Sequence, residues 1–446
     1  MTPLAQPRLF RNGRLFDGKC FLDNCDLRSD ANGLIAEMGQ DLSRQSGEQI
    51  LDLEGRLLLP GLVDCHVHFR EPGLVRKEGY LTGSTGALHG GVTTVLEIQN
   101  NPPLMENADL LKEKMKNLCG VSRIDFAPYG SLTLNSMDNL DGMLGLVPAV
   151  KCFLGGSTGS GGVPNLDVMR QLFSAAKKAG HKVVAHCEDD ALMRKALEEA
   201  TPETAERHDL MRSREAETKS IRDAISVAEE TGVQLHVFHI STGEGAKCVV
   251  EAAERGLPIT GTTGPHYLLV EAEEAAQASQ NRFKVNPSIK YAEDRETLIS
   301  ILEKSLLQGV GTDHAPHPLE DKDRPYRKSP SGFPCIDLLL PLMFAVHDRF
   351  GLSLERALAS VTRDPALEFC LAQKGRLAVG ADADFVICDP QKKTTVDETS
   401  LPSKSKWSPY NGWELRAFPE QVYLRGQLVF EGGEPIGDPC GRPLFL

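Results

Sequence analysis

The chain has 446 residues, 41% of them hydrophobic, and a formal net charge of −13 at pH 7, which predicts one large domain beside a smaller one. The negative charge argues against nucleic acid and anionic membrane surfaces as partners, and neither a signal peptide nor an apolar run of about eighteen residues is visible. The eleven cysteines include no CxxC pair, and their odd number is a poor match for a disulfide framework, so we expect reduced thiols in a cytoplasmic protein.

The two ends of the chain share a pattern of short β-prone segments. Residues 1–56 contain turn signals such as Asn12-Gly13 and Asn32-Gly33. A similar pattern returns after Lys374, in segments 374–390 and 421–433. We predict that residues 1–56 and 375–446 pair into one small β-domain, which leaves residues 57–374 for the large domain.

Eight apolar, β-branched runs alternate with helix-like segments in the large domain. The runs occupy residues 62–69, 91–98, 123–130, 147–154, 181–188, 233–240, 257–264 and 306–313. Helical spacing is clear in segments such as 166–180 and 243–255. Eight strand–helix units over about 250 residues predict an α/β fold with parallel strands, the (β/α)8 TIM-type barrel.

Metal-capable side chains stand near the ends of these runs. They are His66, His68, Lys151, His186, His239 and Asp313. Because the C-terminal strand ends of such a barrel form its active-site face, we expect these side chains to converge. His66 and His68 share one strand face, and paired imidazoles suit zinc. Arg70 shares that face and adds a cation for an anionic ligand.

Four histidines, one aspartate and one lysine suggest two metal ions. A lysine ammonium would be repelled by two divalent cations, so Lys151 fits only if its amine has added carbon dioxide to form a bridging carbamate. The alternative, an ordinary lysine that reaches solvent, stays open. Such a site lowers the pKa of bound water and polarises a carbonyl, which favours amide hydrolysis or its reversal. Asp313 is then placed to act as general acid and base.

For several further residues the sequence predicts a position near the site or a structural role. His317 could contact substrate, His314 could be scaffold, and His266 is open between the two roles. The loop 318–334 could be a lid. We expect ordinary structural roles for the remaining histidines and for three cysteines beside site residues: His89, His181, His208, His236, His347, Cys65, Cys152 and Cys187.

These motifs together resemble those of the amidohydrolase superfamily, in its cyclic amidohydrolase branch. The segments that carry the resemblance are LPGLVDCHVHFREPG (59–73), GALHGGVTTV (86–95), VKCFLGGSTG (150–159), VVAHCE (183–188), VFHIST (237–242), GTDHAPH (311–317) and KGRLAVGADADFVICD (374–389). The combination of HxHxREPG with TDHAPH resembles the dihydroorotase family. Hydantoinases, dihydropyrimidinases and allantoinases share the metal ligands but usually lack that arginine. The flanks resemble the composite β-sandwich of the superfamily.

The resemblance implies a role for each site residue. It implies that His66, His68 and Asp313 hold one Zn2+, that His186 and His239 hold a second, and that carboxylated Lys151 bridges the two ions. It also implies that the substrate carboxylate is bound by Arg70, Asn100 and His317. Asn286 would make a further substrate contact. Asp313 doubles as general acid and base. The chain departs from the pattern at 98–101, where Ile-Gln-Asn-Asn replaces the Met-Pro-Asn-Thr of many dihydroorotases.

The activity implied by the resemblance is a metal-hydroxide-mediated, reversible reaction between L-dihydroorotate and N-carbamoyl-L-aspartate in pyrimidine biosynthesis. The substrate would be a small anionic ring, and a homodimer is an expectation from the resemblance. One alternative is a hydantoinase-, dihydropyrimidinase- or allantoinase-like enzyme, against which Arg70 argues. The other is a catalytically inactive scaffold relative, against which the retained metal ligands argue.

Overall fold

The computed structural model describes residues 5–159, 161–278 and 281–445. Residues 8–60 contain short strands that end where the barrel begins. They are β1 (Arg8–Arg11), β2 (Arg14–Phe16), β3 (Phe21–Leu22), β4 (Asp26–Ser29), β5 (Ile35–Gly39), β6 (Gln49–Asp52) and β7 (Leu57–Pro60). Four of them form a sheet in the order β5-β4-β1-β6.

The next strands are parallel and buried, as the apolar runs predict. They are β8 (Leu62–Val67), β9 (Val92–Glu97), β10 (Asp125–Pro128), β11 (Gly130–Ser131), β12 (Val150–Phe153), β13 (Val183–His186), β14 (Leu235–Val237) and β15 (Ile259–Gly261). They form two sheets, β10-β9-β8 and β11-β12-β13-β14-β15. Only Tyr129 separates β10 from β11, so the third predicted strand is one bent segment that joins the two sheets.

The eighth predicted strand differs from expectation, because residues 306–313 form no regular strand. The segment still closes the barrel through isolated parallel bridges, from Val310 to Thr263 on one side and from His314 to Val67 on the other. Gly309 has φ 141° and Asp313 has φ 49°, and these values interrupt the extended backbone that a regular strand requires.

Helices cover the barrel strands. They are α1 (Tyr80–His89), α2 (Ala108–Leu118), α3 (Leu140–Met143), α4 (Leu166–Lys178), α5 (Asp190–Glu198), α6 (His208–Met211), α7 (Arg214–Thr231), α8 (Gly243–Glu254), α9 (Pro265–Leu269), α10 (Ala272–Gln277), α11 (Ala292–Glu303), α12 (Leu319–Lys322), α13 (Leu339–Phe350), α14 (Leu354–Ala359) and α15 (Arg363–Glu368). Asn165 caps α4 by accepting a hydrogen bond from the amide of Val168, which explains the sharp start of that helix. Across the described ranges, every helix is too short or too polar to cross a lipid bilayer.

The C-terminal strands return to the strands of the N-terminus. They are β16 (Phe385–Cys388), β17 (Lys393–Thr395), β18 (Glu414–Arg416), β19 (Pro419–Leu424), β20 (Gln427–Glu431) and β21 (Glu434–Pro435). A seven-stranded sheet has the order β21-β20-β19-β16-β7-β2-β3. Phe10 of the four-stranded sheet packs edge-on against Phe385 and Tyr423 of the larger sheet, at centroid distances of 5.3 and 5.4 Å. The two ends therefore build one β-rich unit, while the exact domain boundaries stay predictions.

A buried ion network joins this β-rich unit to the barrel. The Nζ atom of Lys374 lies 2.5, 2.7 and 2.8 Å from carboxylate oxygens of Asp125, Asp382 and Asp384, and Arg425 also pairs with Asp125. Burial alone would lower the pKa of Lys374, but the three carboxylates raise it well above its ordinary value. Asp125 belongs to β10, whereas Asp384 immediately precedes β16, so the ammonium connects the two units.

We expect Lys374→Met to destabilise the protein by about 3–5 kcal/mol, because it removes the cation that pairs with Asp382 and Asp384, while Asp125 keeps its pair with Arg425. Chemical unfolding followed by circular dichroism measures the change. The matched control is Lys393→Met, which removes an exposed pair with Glu414 at 2.7 Å and is expected to leave the free energy of unfolding nearly unchanged. Equal effects of the two substitutions would contradict the role given to Lys374.

Candidate metal centre

Three ligand atoms form a nearly equilateral triangle at the C-terminal end of the barrel. His66 Nε2 and His68 Nε2 are 3.3 Å apart, and Asp313 Oδ1 lies 3.3 and 3.2 Å from them. Tetrahedral zinc with ligand distances of about 2.0–2.2 Å requires ligand atoms separated by about 3.3–3.5 Å. The triangle therefore has the size and the donor chemistry of three vertices of a zinc site.

The surrounding backbone sets the orientation of these ligands. His68 donates from Nδ1 to the carbonyl of Ile98 at 2.9 Å, which leaves Nε2 unprotonated and able to bind a metal. Asp64 accepts hydrogen bonds from the amides of His66 and Thr312 at 3.1 and 3.0 Å. One buried carboxylate thus connects the strand that carries the histidines to the segment that carries Asp313.

A second pair of histidines lies beside the triangle. His186 Nδ1 and His239 Nε2 are 3.1 Å apart, and the rings of His66 and His239 have centroids 5.0 Å apart. Glu188 Oε2 lies 2.9 Å from His186 Nε2, which favours a proton on that nitrogen and leaves Nδ1 as a ligand atom. Burial would raise the pKa of Glu188, but Arg212 and His186 lower it to about 2.

Lys151 lies inside the barrel near both groups. Its Nζ atom is 4.6 Å from the ring centroid of Phe238 and has no hydrogen-bond partner among the described residues. Burial lowers its pKa to about 7. Burial, with the Lys151 charge nearby, also lowers the pKa of His66 and of His239, and a neutral imidazole is the form that binds a metal.

Arg70 and Asn100 stand at the edge of this cluster. Arg70 is 3% exposed, has φ 65°, and donates from Nη1 to Asn100 Oδ1 at 2.7 Å. Asn100 in turn donates from Nδ2 to the carbonyl of Thr158 at 3.0 Å. A cavity of about 30 Å3 is lined by Arg70, Asn100 and Asn286 together with His66, His68, His186, His239 and Asp313. The structure therefore brings nine of the ten predicted site residues together, with Lys151 beside the other eight.

Like Lys151, His317 does not line this cavity. Its Nδ1 lies 3.1 Å from Lys77 Nζ, and its Nε2 lies 3.1 Å from the carbonyl of Ser331. Both ring nitrogens are thus bonded to protein atoms, and a substrate contact by His317 stays a prediction. His314 fits the scaffold interpretation, because its Nδ1 accepts a hydrogen bond from the amide of Cys335 at 3.1 Å. His266 is buried, and neither ring nitrogen has a hydrogen-bond partner among the described residues.

Residues 57–429 match the sequence model of the amidohydrolase family. The chain belongs to the amidohydrolase family. The dihydroorotase of Bacillus cytotoxicus is 30% identical to it over 95% of this chain and 98% of that protein. The dihydroorotase of Brevibacillus brevis is 32% identical over 90% of this chain and 93% of that protein.

Solved structures of cyclic amidohydrolases share the fold of this amidohydrolase. The L-hydantoinase (dihydropyrimidinase) of Arthrobacter aurescens has a TM-score of 0.90 at 26% identity, over 98% of this chain and 99% of that chain. The dihydropyrimidinase of Brevibacillus agri has a TM-score of 0.88 at 23% identity, over 99% of each chain, which shows the fold alone. The predicted barrel with a β-rich domain and the predicted family are confirmed. The family is metal-dependent, and the donor set described above fits such a metal.

Sequence reasoning missed three residues that orient the site of this amidohydrolase. Asp64 stands two residues before His66 on β8, and Glu188 stands two residues after His186, just past the end of β13, so this spacing was a usable signal. His208 was predicted to be ordinary, but its Nε2 lies 3.0 Å from Asn286 Oδ1. No sequence signal connects these two positions, because 78 residues separate them.

We expect Glu188→Gln to weaken metal binding by about 10–100-fold, because it removes the anion that orients His186. Competition with a chromophoric chelator measures the dissociation constant. The matched control is Glu368→Gln. Glu368 is also buried beside a histidine, with Oε1 3.2 Å from His236 Nδ1, and its pKa is lowered to about 2 by His236 and Lys182 against the opposing effect of burial. Equal losses of metal in both variants would contradict the role of Glu188.

Proposed function

We propose that this amidohydrolase is a dihydroorotase, which reversibly hydrolyses the ring amide of L-dihydroorotate to give N-carbamoyl-L-aspartate in pyrimidine biosynthesis. The observation that carries this proposal is the buried guanidinium of Arg70 beside the candidate metal ligands. The names of the relatives that are about 30% identical over nearly the whole chain support it.

Arg70 has the environment of a binding group that lacks its anion. Its one described hydrogen bond is to the neutral amide of Asn100, and its Nε atom has no partner among the described residues. Burial lowers the pKa of Arg70 to about 10, so it stays charged at neutral pH. A buried cation without a counterion is unfavourable, and the exocyclic carboxylate of dihydroorotate would supply that counterion.

A hydantoinase or dihydropyrimidinase is the second candidate, and the 0.90 TM-score to the L-hydantoinase favours it. The fold and the metal ligands do not distinguish these enzymes, because their ring amides undergo the same chemistry. A neutral ring would leave Arg70 without its anion, and a site that loses a charged hydrogen bond rejects such a ligand by a few kcal/mol. The intact donor set also argues against an inactive scaffold protein.

We propose two Zn2+ ions in this site. His66, His68 and Asp313 would hold one, His186 and His239 the other, and carboxylated Lys151 would bridge them. Bound there, the metal ions would lower the pKa of a water molecule and polarise the amide carbonyl. The buried Nζ of Lys151 supports this proposal, since a neutral amine can add carbon dioxide, forming an N–C bond and releasing a proton.

The residues of the chain would divide the remaining tasks. The carboxylate of Asp313 would take the proton of the attacking water and deliver it to the departing ring nitrogen. Arg70 and Asn100 would hold the carboxylate, and Asn286 would contact a further oxygen. The cavity of about 30 Å3 is lined in part by two loops that lie outside the barrel segments. Those loops contribute Thr158 and Ser331, and the hydroxyl of Thr158 donates to the carbonyl of Ser331 at 3.1 Å.

We further propose a cytoplasmic location and a homodimer, with no nucleic acid or membrane partner. The net charge of −13 supports the last point. The eleven cysteines are all unpaired, and all lie in the described part of the chain, as a reducing compartment requires.

We expect Arg70→Met to lower kcat/KM for L-dihydroorotate by about 10–100-fold or more, the range for a lost hydrogen bond to a charged group. Ring opening is followed by ultraviolet absorbance, with dihydrouracil, hydantoin and allantoin tested in parallel. The matched control is Arg76→Met, on the same loop, whose exposed side chain pairs with Asp321 at 3.0 Å and which should leave kcat/KM unchanged. Activity of the parent protein on a neutral ring alone would contradict the dihydroorotase proposal and would still agree with membership of the amidohydrolase family.

The carbamate has its own test. Protein equilibrated with 13C-bicarbonate and Zn2+ should show a carbamate carbon resonance that is absent from Lys151→Met. We expect Lys151→Met to bind fewer metal ions per chain by elemental analysis, because the bridging anion is lost. The same resonance in both proteins would exclude Lys151 as the modified residue.

A further inference from the structure

We infer that His208 is a positioning residue, which fixes the side-chain amide of Asn286 so that its N–H groups point into the cavity. The inference rests on the proposed function, because it treats Asn286 as a substrate contact. His208 is the first residue of α6, outside the barrel strands, and Asn286 is 8% exposed and lines the cavity.

The contacts of His208 determine which of its nitrogens carries the proton. Its Nε2 lies 2.9 Å from the carbonyl oxygen of Val285, which can only accept a hydrogen bond, so Nε2 must be the donor. The Nδ1 atom of the neutral ring is then an acceptor, and the hydroxyl of Tyr326 lies 2.6 Å from it and donates. Burial and the nearby charges of Arg212 and Lys284 lower the pKa of His208 to about 3, so the ring stays neutral.

The protonated nitrogen in turn fixes the amide of Asn286. The single Nε2 proton of His208 is shared between the carbonyl oxygen of Val285 at 2.9 Å and the Asn286 atom at 3.0 Å. That Asn286 atom must therefore also be an acceptor, which identifies it as Oδ1. The Nδ2 atom therefore faces the other way and lies 3.3 Å from Ser157 Oγ at the cavity. Asn286 thus offers N–H donors to an oxygen of the substrate. If the side-chain amide of Asn286 were flipped, Oδ1 would face that substrate oxygen instead of Nδ2.

The same histidine connects Asn286 to the loop after the eighth barrel segment. Tyr326 lies within residues 318–334, and Lys284 Nζ donates to the carbonyls of Tyr326 and Ser329 at 2.7 and 2.6 Å. The position of this loop and the orientation of the Asn286 amide are therefore set by one set of contacts.

A double-mutant cycle tests whether His208 acts through Asn286. We expect His208→Leu and Asn286→Ala each to lower kcat/KM for L-dihydroorotate by about tenfold, the value of one hydrogen bond, mainly through KM. The double variant should be no worse than Asn286→Ala alone, and His208→Gln, which keeps an N–H donor, should recover part of the loss. A double variant whose loss equals the product of the two single losses would overturn the inference.

His181→Leu is the matched control for simple loss of a buried histidine. His181 Nε2 lies 2.8 Å from the carbonyl of Leu140. His181 precedes the first residue of β13, whereas His186 is the last residue of that strand. We expect this control to lower thermal stability and leave KM and metal content unchanged. If it raises KM as much as His208→Leu does, the effect is a general loss of packing and the inference fails.

Nitrogen-15 NMR of the imidazoles gives a readout that needs no substrate. His208 should carry its proton on Nε2 and stay neutral from about pH 5 to 8, as its low pKa requires. A proton on Nδ1 would overturn the inference, whatever the enzyme acts on. If the parent protein opens only a neutral ring, the proposed function fails, and the double-mutant cycle measured with that ring still decides the role of His208.

Discussion

The site depends on the carboxylate of Asp64, which connects the first strand of the barrel to its eighth segment. It accepts hydrogen bonds from the amides of His66 and Thr312 and from the hydroxyl of Thr312. Burial raises the pKa of Asp64 to about 7, although these hydrogen bonds oppose the rise. This burial of a carboxylate is unfavourable, but its hydrogen bonds fix the register between the first strand and the eighth segment. If that register shifted by one residue, His66, His68 and Asp313 would no longer face one another.

The barrel also imposes backbone conformations that isolated segments would avoid. Arg70, His239 and Asp313 have positive φ angles of 65°, 42° and 49°, a region that costs residues other than glycine about 1–3 kcal/mol. Each of the three stands at or just past the C-terminal end of a barrel segment and lines the cavity. The strain is maintained by close packing beneath the site, where Phe238 contacts the rings of His66 and Tyr129 at centroid distances of 4.4 and 5.7 Å. A rigid apolar core therefore holds a polar cluster in place.

Local periodicity predicts much of this arrangement and misses the rest for identifiable reasons. Alternation along a strand placed His66 and His68 on one face, and the apolar runs located seven of the eight barrel strands. The eighth run also predicted a strand, but the φ angles of Gly309 and Asp313 interrupt it, and the segment closes the barrel through hydrogen bonds to Asp64 and through two bridges. The partners of His317 and His208 come from loops distant in the chain, and no spacing rule reaches them.

The charges in this cluster bear on both the proposed metal ions and the proposed substrate. Burial and the neighbouring charges lower the pKa of His66 and of His239, which favours neutral imidazoles that contribute donor atoms without negative charge. Two divalent ions held by neutral imidazoles and one aspartate would leave a strong excess of positive charge, which an unmodified Lys151 and Arg70 would increase. Conversion of Lys151 to an anion would reduce the excess positive charge at the metal ions. Arg70 cannot lose its charge at neutral pH, so it would keep a positive charge at the edge of the cavity. Under the proposed function, a carboxylate on the substrate would complement this uneven distribution of charge.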